Sequence, residues 1–340
     1  MRIGILTSGG DCPGLNAVIR GAVLKGDRIH GHEFLGIKDG WRGLVEDDVA
    51  PLPRHQIRGL SKQGGTILGT SRVGPYGEGN GGAQRVRETM QRRGMDALIA
   101  IGGEGTLTVA RMLHDEGIDV VGVPKTIDND LGATDYTFGF DTAVHVATEA
   151  IDRLRTTGDS HHRCMILEVM GRHAGWIALH AGIAGGAHAV LIPEVAVGYD
   201  QVAQWVRATA DRGRAPMVVV AEGFMPDGEL VSGGQVDGMG RPRLGGVGEQ
   251  VAREIEERTG IESRAMALGH MQRGGSPTAY DRVLATRFGT AALDAVHDRA
   301  FGQMVALAGT EILRVPLAEA TTALKSVPRE RWDEAAILFG

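Results

Sequence analysis

Two carboxylates two positions apart, Asp128 and Asp130, lie in the stretch Pro124-Lys125-Thr126-Ile127-Asp128-Asn129-Asp130, directly after the apolar run Val120, Val121, Gly122 and Val123. A strand that stops at a proline and turns through Asp-Asn-Asp puts polar groups at the carboxyl edge of a sheet, where open α/β proteins bind ligands. Two nearby acids disfavour each other's ionisation and call for a metal, a basic partner or a shared proton. The chemistry on offer is general-base catalysis or metal binding. An Asx turn is the simpler reading of these seven residues alone, and local chemistry does not choose between the two acids as a base.

Two further segments weigh against the simple turn. Arg2-Ile-Gly-Ile-Leu-Thr7 reads as a short strand that enters Ser8-Gly9-Gly10-Asp11-Cys12-Pro13-Gly14 and then a helix over 15–24. Ala97-Leu-Ile-Ala-Ile101 is a continuous apolar run, as expected of a parallel strand buried on both faces. It enters Gly102-Gly103-Glu104-Gly105-Thr106, and a helix with apolar positions Leu107, Ala110, Met112 and Leu113 follows. A strand, then glycines, then a helix N-terminus is a recipe for holding phosphate, because the backbone approaches closely and free N–H groups face the anion. Neither loop carries the Gly-Lys-Ser/Thr of a P-loop, and the Rossmann spacing also fails. A dinucleotide dehydrogenase is disfavoured.

Taken together, Thr7-Ser-Gly-Gly-Asp-Cys-Pro-Gly-Leu-Asn16, Ile101-Gly-Gly-Glu-Gly-Thr106, Pro124-Lys-Thr-Ile-Asp-Asn-Asp130, Glu168-Val-Met-Gly-Arg-His173 and Gly269-His-Met-Gln-Arg-Gly-Gly-Ser-Pro277 resemble the family A 6-phosphofructokinases, with an actinobacterial flavour. The motifs fall in the family's order and span residues 1 to about 290. The resemblance implies two similar three-layer α/β domains with largely parallel sheets and an active site in the cleft between them. Residues 1–139 plus 272–318 would form the phosphate-donor (ATP) domain, and 140–271 plus 319–340 the fructose 6-phosphate domain. Candidate strands at 165–169, 189–192, 217–221 and 264–268 fit a second βαβ stack, but no sequence pattern shows the chain crossing back.

Phosphoryl transfer needs a base near the acceptor hydroxyl and cations around the moving phosphate. The resemblance selects Asp128 as the base, with Asp130 supporting it and Thr126 hydrogen-bonding the transferring group. Glu104 stands where the family usually has an aspartate that binds the Mg²⁺–nucleotide complex; its longer side chain still offers hard oxygens, and a helix N-terminal acid is the alternative. Arg172 is expected to stabilise charge on the γ-phosphoryl group. Arg163, Arg264, Arg273 and His270 match the family's grip on the sugar phosphate, a task that suits guanidinium forks. Glu222, Met170 and Gly171 complete the sugar side. Gly10, Arg72, Gly102, Gly103, Gly105, Thr106 and Lys125 are expected to line the donor side. In the family Arg163 and Arg264 reach across from a neighbouring subunit, which implies a homo-oligomer, expected to be a tetramer.

The resemblance implies that two positions bear on the donor. In the family a glycine at the position of Gly105 leaves room for a nucleotide's α-phosphate, whereas an aspartate there fills the space. A lysine at the position of Lys125 is the family's pyrophosphate-type residue, because its ammonium can contact the transferred phosphate. Steric exclusion is the harder constraint to escape, so the expectation is ATP, with pyrophosphate the alternative. Arg20, Arg54, Arg155, Arg212 and Arg214 lie near the effector positions of regulated members, while Leu24 replaces a further arginine. Trp41 in Asp39-Gly40-Trp41 is either a nucleotide neighbour or a core aromatic; Trp176, Trp205 and Trp332 carry no functional expectation. A sugar-phosphate sensor without catalysis is disfavoured by the presence of Asp128, Asp130, Arg172 and Arg273. A lipid or NAD kinase, which shares a similar glycine loop, is disfavoured by the 124–130 and 269–277 segments.

The bulk properties agree. A chain of 340 residues suits two domains rather than one core. Its 52 glycines exceed the roughly 7% average, which fits many βα turns and close approaches of backbone to ligand. A net charge of −6 argues against nucleic acid or anionic membrane as a main partner. The sequence has no apolar run of membrane-spanning length, and its two cysteines, Cys12 and Cys164, form no disulfide framework. A cytoplasmic setting is expected. The glycine-rich stretch 227–248 reads as a surface loop or hairpin.

Overall fold

The computed structural model describes residues 1–226, 232–236 and 242–340. In chain order the elements are β1 (Arg2–Ser8), α1 (Leu15–Lys25), β2 (Glu33–Ile37), α2 (Trp41–Glu46), β3 (Val49–Pro51), α3 (Gly82–Arg93), β4 (Ala97–Gly102), α4 (Glu104–Asp115), β5 (Val120–Pro124) and α5 (Phe140–His161). They continue with β6 (Cys164–Val169), α6 (Trp176–Ala184), β7 (Ala189–Leu191), α7 (Tyr199–Asp211), β8 (Met217–Ala221), β9 (Ser232–Val236), β10 (Pro242–Leu244), α8 (Val247–Thr259) and β11 (Ser263–Ala267). The last are α9 (Ala279–His297), β12 (Gln303–Ala308), β13 (Glu311–Pro316), α10 (Leu317–Ala320) and α11 (Arg329–Ala336).

The chain forms two compact units. The first comprises Met1–Ile127, Leu131–Asp141 and Arg273–Leu324; the second comprises Asp128–Asp130, Thr142–Gln272 and Lys325–Gly340. The first is built on a seven-stranded sheet in the order β13-β12-β5-β4-β1-β2-β3. Its five middle strands are parallel, and β3 and β13 are antiparallel edges. Every residue of β4 and of β5 is buried, so both faces of the sheet are covered, as parallel sheets require. Leu98 and Ala100 point to the face packed with Leu107, Ala110 and Leu113 of α4, Val86 and Met90 of α3, and Leu317 and Ala320 of α10. Strand alternation turns Ile99 and Ile101 to the other face.

The second unit carries a four-stranded, wholly parallel sheet in the order β11-β6-β8-β7. Its β6 and β8 are buried throughout. Glu168, the one charged residue within β6, is buried but satisfied: its carboxylate accepts the N–H of Gly248 at 2.8 Å and of Gly246 at 3.1 Å, and so fixes the start of α8. An acceptor-only group at the N-terminal N–H groups of a helix is favourable on both hydrogen-bond and dipole grounds.

The two sheets differ in size, because the returning β12 and β13 extend the first. Two expected domain boundaries need correction. The expected crossing at 318/319 falls after Leu324: Leu317 and Ala320 are buried in the first unit's core, and Leu324 bridges Leu131. Asp128–Asp130, placed by sequence in the donor domain, cluster with the second unit, where the Lys325 N–H donates to the Asp130 carbonyl at 2.7 Å. Of the glycine-rich stretch 227–248, the described portions include the antiparallel pair β9 and β10 and the start of α8; residues 227–231 and 237–241 lie outside the described residues.

Candidate active site

The donor-side candidates gather in the first unit at the carboxyl ends of β1, β4 and β5. β1 delivers Gly9, whose φ of 82° requires glycine, and the loop then closes on Gly14, another left-handed residue, ahead of α1. Thr70 and Ser71 lace this loop to the 69–72 segment: the Thr70 hydroxyl donates to the Gly9 carbonyl at 2.5 Å, and the Gly9 N–H to the Ser71 carbonyl at 3.3 Å. β4 delivers Gly102 and Gly103 to the start of α4. Gly102 has to be glycine because a Cβ there would lie 2.3 Å from the Thr106 side chain.

Lys125 completes this side. Its N–H donates to the Gly102 carbonyl at 2.9 Å, and its ammonium donates to the Gly10 carbonyl. The side chain is only 4% exposed. A Cβ on Gly9 would be 3.6 Å from Lys125 Nζ and 3.7 Å from Thr106 Oγ1, so an ammonium and a hydroxyl flank the same glycine loop. Glu104 and Gly105 are exposed at the first turn of α4, and a Cβ on Gly105 would meet nothing within 4 Å. Arg72 is exposed beside the same loops. Trp41, by contrast, is a core residue, 2% exposed among Leu6, Leu44 and Val86, which decides for the core aromatic over the nucleotide neighbour.

Arg273, expected to help grip the sugar phosphate, opens the Arg273–Leu324 segment of the first unit. Its guanidinium donates to the Asp11 carbonyl at 3.1 Å.

The acceptor-side candidates of the second unit gather at the carboxyl end of β6. Met170 follows the strand, and Gly171 has a φ of 143°. Arg172 is left-handed at φ 52°, a conformation that costs a non-glycine residue about 1 kcal/mol and is concentrated at functional sites. It is held there from both sides: its N–H donates to Glu222 Oε1 at 3.1 Å, and its carbonyl packs where any Cβ on Gly223 would clash. The Glu222 N–H donates to the Val169 carbonyl at 2.8 Å. Met170, Gly171, Arg172 and Glu222 therefore form one group. His270 is exposed in the turn Gly269–Arg273 that follows β11, at the same sheet edge, since Ala267 pairs with Glu168.

Arg163 and Arg264 are not part of that group. Arg163 precedes β6 and Arg264 pairs with Met165 near the strand's start, whereas Arg172 follows its end. Six residues of strand separate the two ends by ~20 Å. Asp128 and Asn129 are buried, Asp130 partly so. Asn129 is left-handed at φ 52°, and its Oδ1 accepts from the Lys325 ammonium at 3.1 Å. Thr126 is half-buried, and its carbonyl accepts from the Thr137 hydroxyl at 2.8 Å.

Two supporting residues escaped the sequence reading. Gln272, wholly buried, accepts the Met170 N–H at 2.8 Å through Oε1 and so steadies the start of the Met170–Arg172 turn. Its position between His270 and Arg273 was the signal. Lys325 stands in a tail with no motif, and nothing in the sequence pointed to it. Of the effector candidates, Arg20, Leu24 and Arg54 line one pocket of about 220 Å³ with Arg28 and Arg58. Arg155, Arg212 and Arg214 act electrostatically on the buried His188 in the second unit.

Among the described residues no group of three or more His, Cys, Asp or Glu is arranged to hold a metal ion, and no helix is long and apolar enough to cross a membrane. A Mg²⁺ ion held mainly by phosphate oxygens needs only one or two carboxylates from the protein, and Glu104 presents one, exposed at the first turn of α4.

With these elements in place, the comparisons with known proteins agree on one family. The phosphofructokinase family model matches residues 2–296, and the chain belongs to the phosphofructokinase family. It is 61% identical to the pyrophosphate–fructose 6-phosphate 1-phosphotransferase of Amycolatopsis methanolica, with 100% of each chain covered. It is 54% identical to ATP-dependent 6-phosphofructokinase 3 of Streptomyces coelicolor, over 98% of this chain and 99% of that one. Its fold matches the crystal structure of Pichia pastoris phosphofructokinase in the T-state with a TM-score of 0.83 and 32% identity, covering 99% of this chain and 36% of the Pichia chain.

Proposed function

We propose that this chain transfers a phosphoryl group to the 1-hydroxyl of fructose 6-phosphate, and that pyrophosphate is the donor it uses best. The observation that carries the donor is Lys125, a buried ammonium set against the Gly10 carbonyl and beside Thr106. A fixed cation among backbone-lined loops favours a compact, highly charged donor. The open space at Gly105 is permissive: it admits a nucleotide without demanding one. This reverses the sequence-based preference for ATP. The 61% identity to a protein named as pyrophosphate-dependent supports that order. ATP is the second reading, favoured by the space at Gly105 and by the 54% identity to a protein named as ATP-dependent.

In this reading Asp128 takes the proton from the 1-hydroxyl, and Asp130 and Thr126 position it and the moving phosphoryl group. Arg172, held in place by Glu222, balances charge that builds on the transferring oxygens. Lys125, Thr106 and the N–H groups of the loops at Gly10 and 102–105, with Arg72 alongside, hold the donor. Mg²⁺, when bound through Glu104, would neutralise donor phosphate charge. Arg273, His270, Met170 and Gly171 hold the sugar phosphate.

Arg163 and Arg264 lie at the wrong end of β6 to reach the same sugar as Arg172 within one chain, which supports their acting on a neighbouring copy. A homo-oligomer, expected to be a tetramer, follows from that role. An anionic effector at the Arg20–Arg54 pocket belongs to the same proposal: ADP or phosphoenolpyruvate should shift the sugar-phosphate saturation curve, and an unmoved curve would make the pocket vestigial. Two free, buried cysteines suit a cytoplasmic enzyme.

The chemical assignment is tested by Asp128→Asn. The expected result is a fall in kcat of roughly 10²–10⁴-fold with little change in the KM for fructose 6-phosphate. An unchanged kcat would move the base to Asp130.

A further inference from the structure

Gly10 has no backbone reason to be glycine. Gly9, beside it, has a φ of 82°, but Gly10 lies outside the left-handed region, so an alanine could adopt its conformation. What forbids a side chain there is Arg273. A Cβ on Gly10 would lie 2.6 Å from Arg273 Nη1, 3.1 Å from Cζ and 3.5 Å from Nη2. The guanidinium lies across the bare Cα, close enough that its Nη1 donates to the next carbonyl, that of Asp11, at 3.1 Å.

The Gly10 carbonyl meanwhile accepts from the Lys125 ammonium. Two cations of opposite expected duty, Lys125 toward the donor and Arg273 toward the sugar phosphate, are thus anchored on consecutive carbonyls of one loop. We infer that Gly10 is a positioning residue for Arg273: its missing side chain is the seat that aims the guanidinium, so a residue of the donor loop sets affinity for the sugar phosphate. This rests on the sugar-phosphate role given to Arg273 above.

The physical consequence is specific. The atom a new methyl would strike is the far end of a flexible side chain, not backbone, so Gly10→Ala should leave the fold intact and displace the guanidinium instead. Loss of a well-aimed, charge-assisted contact to phosphate costs on the order of tenfold in affinity. If Gly10 acts through Arg273, the effect must also vanish once Arg273 is gone, which is the coupling that a double-mutant cycle reads.

The test is calorimetric binding of fructose 6-phosphate, without donor, to the wild-type enzyme, Gly10→Ala, Arg273→Ala and the double variant, with melting temperatures measured alongside. The expected result is a rise of about tenfold in Kd for Gly10→Ala at an unchanged melting temperature, and no further rise when it is added to Arg273→Ala. A Kd for Gly10→Ala within about twofold of wild type would overturn the inference. So would a Gly10→Ala effect that adds in full to that of Arg273→Ala, since it would then act on the ligand or loop directly. Wild-type protein that fails to bind fructose 6-phosphate would overturn the underlying sugar-phosphate reading, and this inference with it.

Discussion

Arg163 and Arg264 meet on a single carboxylate: Arg163 Nε lies 2.8 Å from Glu262 Oε2, and the Arg264 guanidinium binds Oε1. Hydrogen bonding to Arg163, followed by the charges of both arginines, holds the Glu262 carboxyl below its ordinary range. Glu262 thus keeps the two arginines side by side, at the end of β6 remote from Arg172.

A pair of arginines so arranged should matter to the sugar phosphate and little to the donor. Arg264→Ala is expected to raise the KM for fructose 6-phosphate about tenfold, the scale of one charge-assisted contact, with the donor KM nearly unchanged. An unaltered sugar-phosphate KM would remove Arg264 from the site. Because the proposed role is exercised on a neighbouring copy, dilution that dissociates the oligomer should weaken sugar-phosphate binding in the wild type and have little further effect on Arg264→Ala.

Stability should carry a histidine signature at mildly acidic pH. His188 is buried, and its Nδ1 accepts the Met217 N–H at 3.0 Å. Burial, with lesser contributions from the charges of Arg155, Arg214 and Arg212, lowers its pKa to about 4. An unfolded histidine titrates near 6.5, so between these values the unfolded chain binds the extra proton and stability falls as pH falls. The loss should reach ~3 kcal/mol at the bottom of the window. His188→Asn, whose Oδ1 can accept the same N–H, should flatten the fall in melting temperature between pH 6.5 and 4. Equal slopes for the two proteins would assign the acid sensitivity elsewhere.

The donor loops were legible in the sequence because glycine punctuation after an apolar run has few physical meanings: Gly9 and Gly14 are left-handed, and Gly102 makes room for Thr106. The Met170–Arg172 turn was legible for the same reason. Less visible were features whose partners lie far along the chain. Lys325 meets Asn129 across nearly two hundred positions, and Arg273 meets the Asp11 carbonyl within the first unit across 262 positions; neither leaves a periodicity or a spacing to read. Trp41 was ambiguous because an aromatic after a glycine turn looks the same whether it faces ligand or core. The unequal sheets were invisible because β12 and β13 reach the first sheet only through the chain's return.

Donor choice can be pushed from either side. Lys125→Gly should lower kcat/KM for pyrophosphate by roughly 10–100-fold, the scale of a contact to a charged group, while ATP use falls less. Gly105→Asp fills the open space at α4 with a like charge and should abolish ATP use while leaving pyrophosphate use largely intact. Full ATP activity in Gly105→Asp would show that the open space is not where the nucleotide's α-phosphate lies.

The most direct measurement is the ratio of kcat/KM for pyrophosphate to that for ATP in the unmodified enzyme, with fructose 6-phosphate and Mg²⁺ present and fructose 1,6-bisphosphate followed as product. The buried ammonium of Lys125 beside Gly10 predicts a ratio well above one. A ratio well below one would mean that the space at Gly105 governs the donor and would contradict the role given to Lys125.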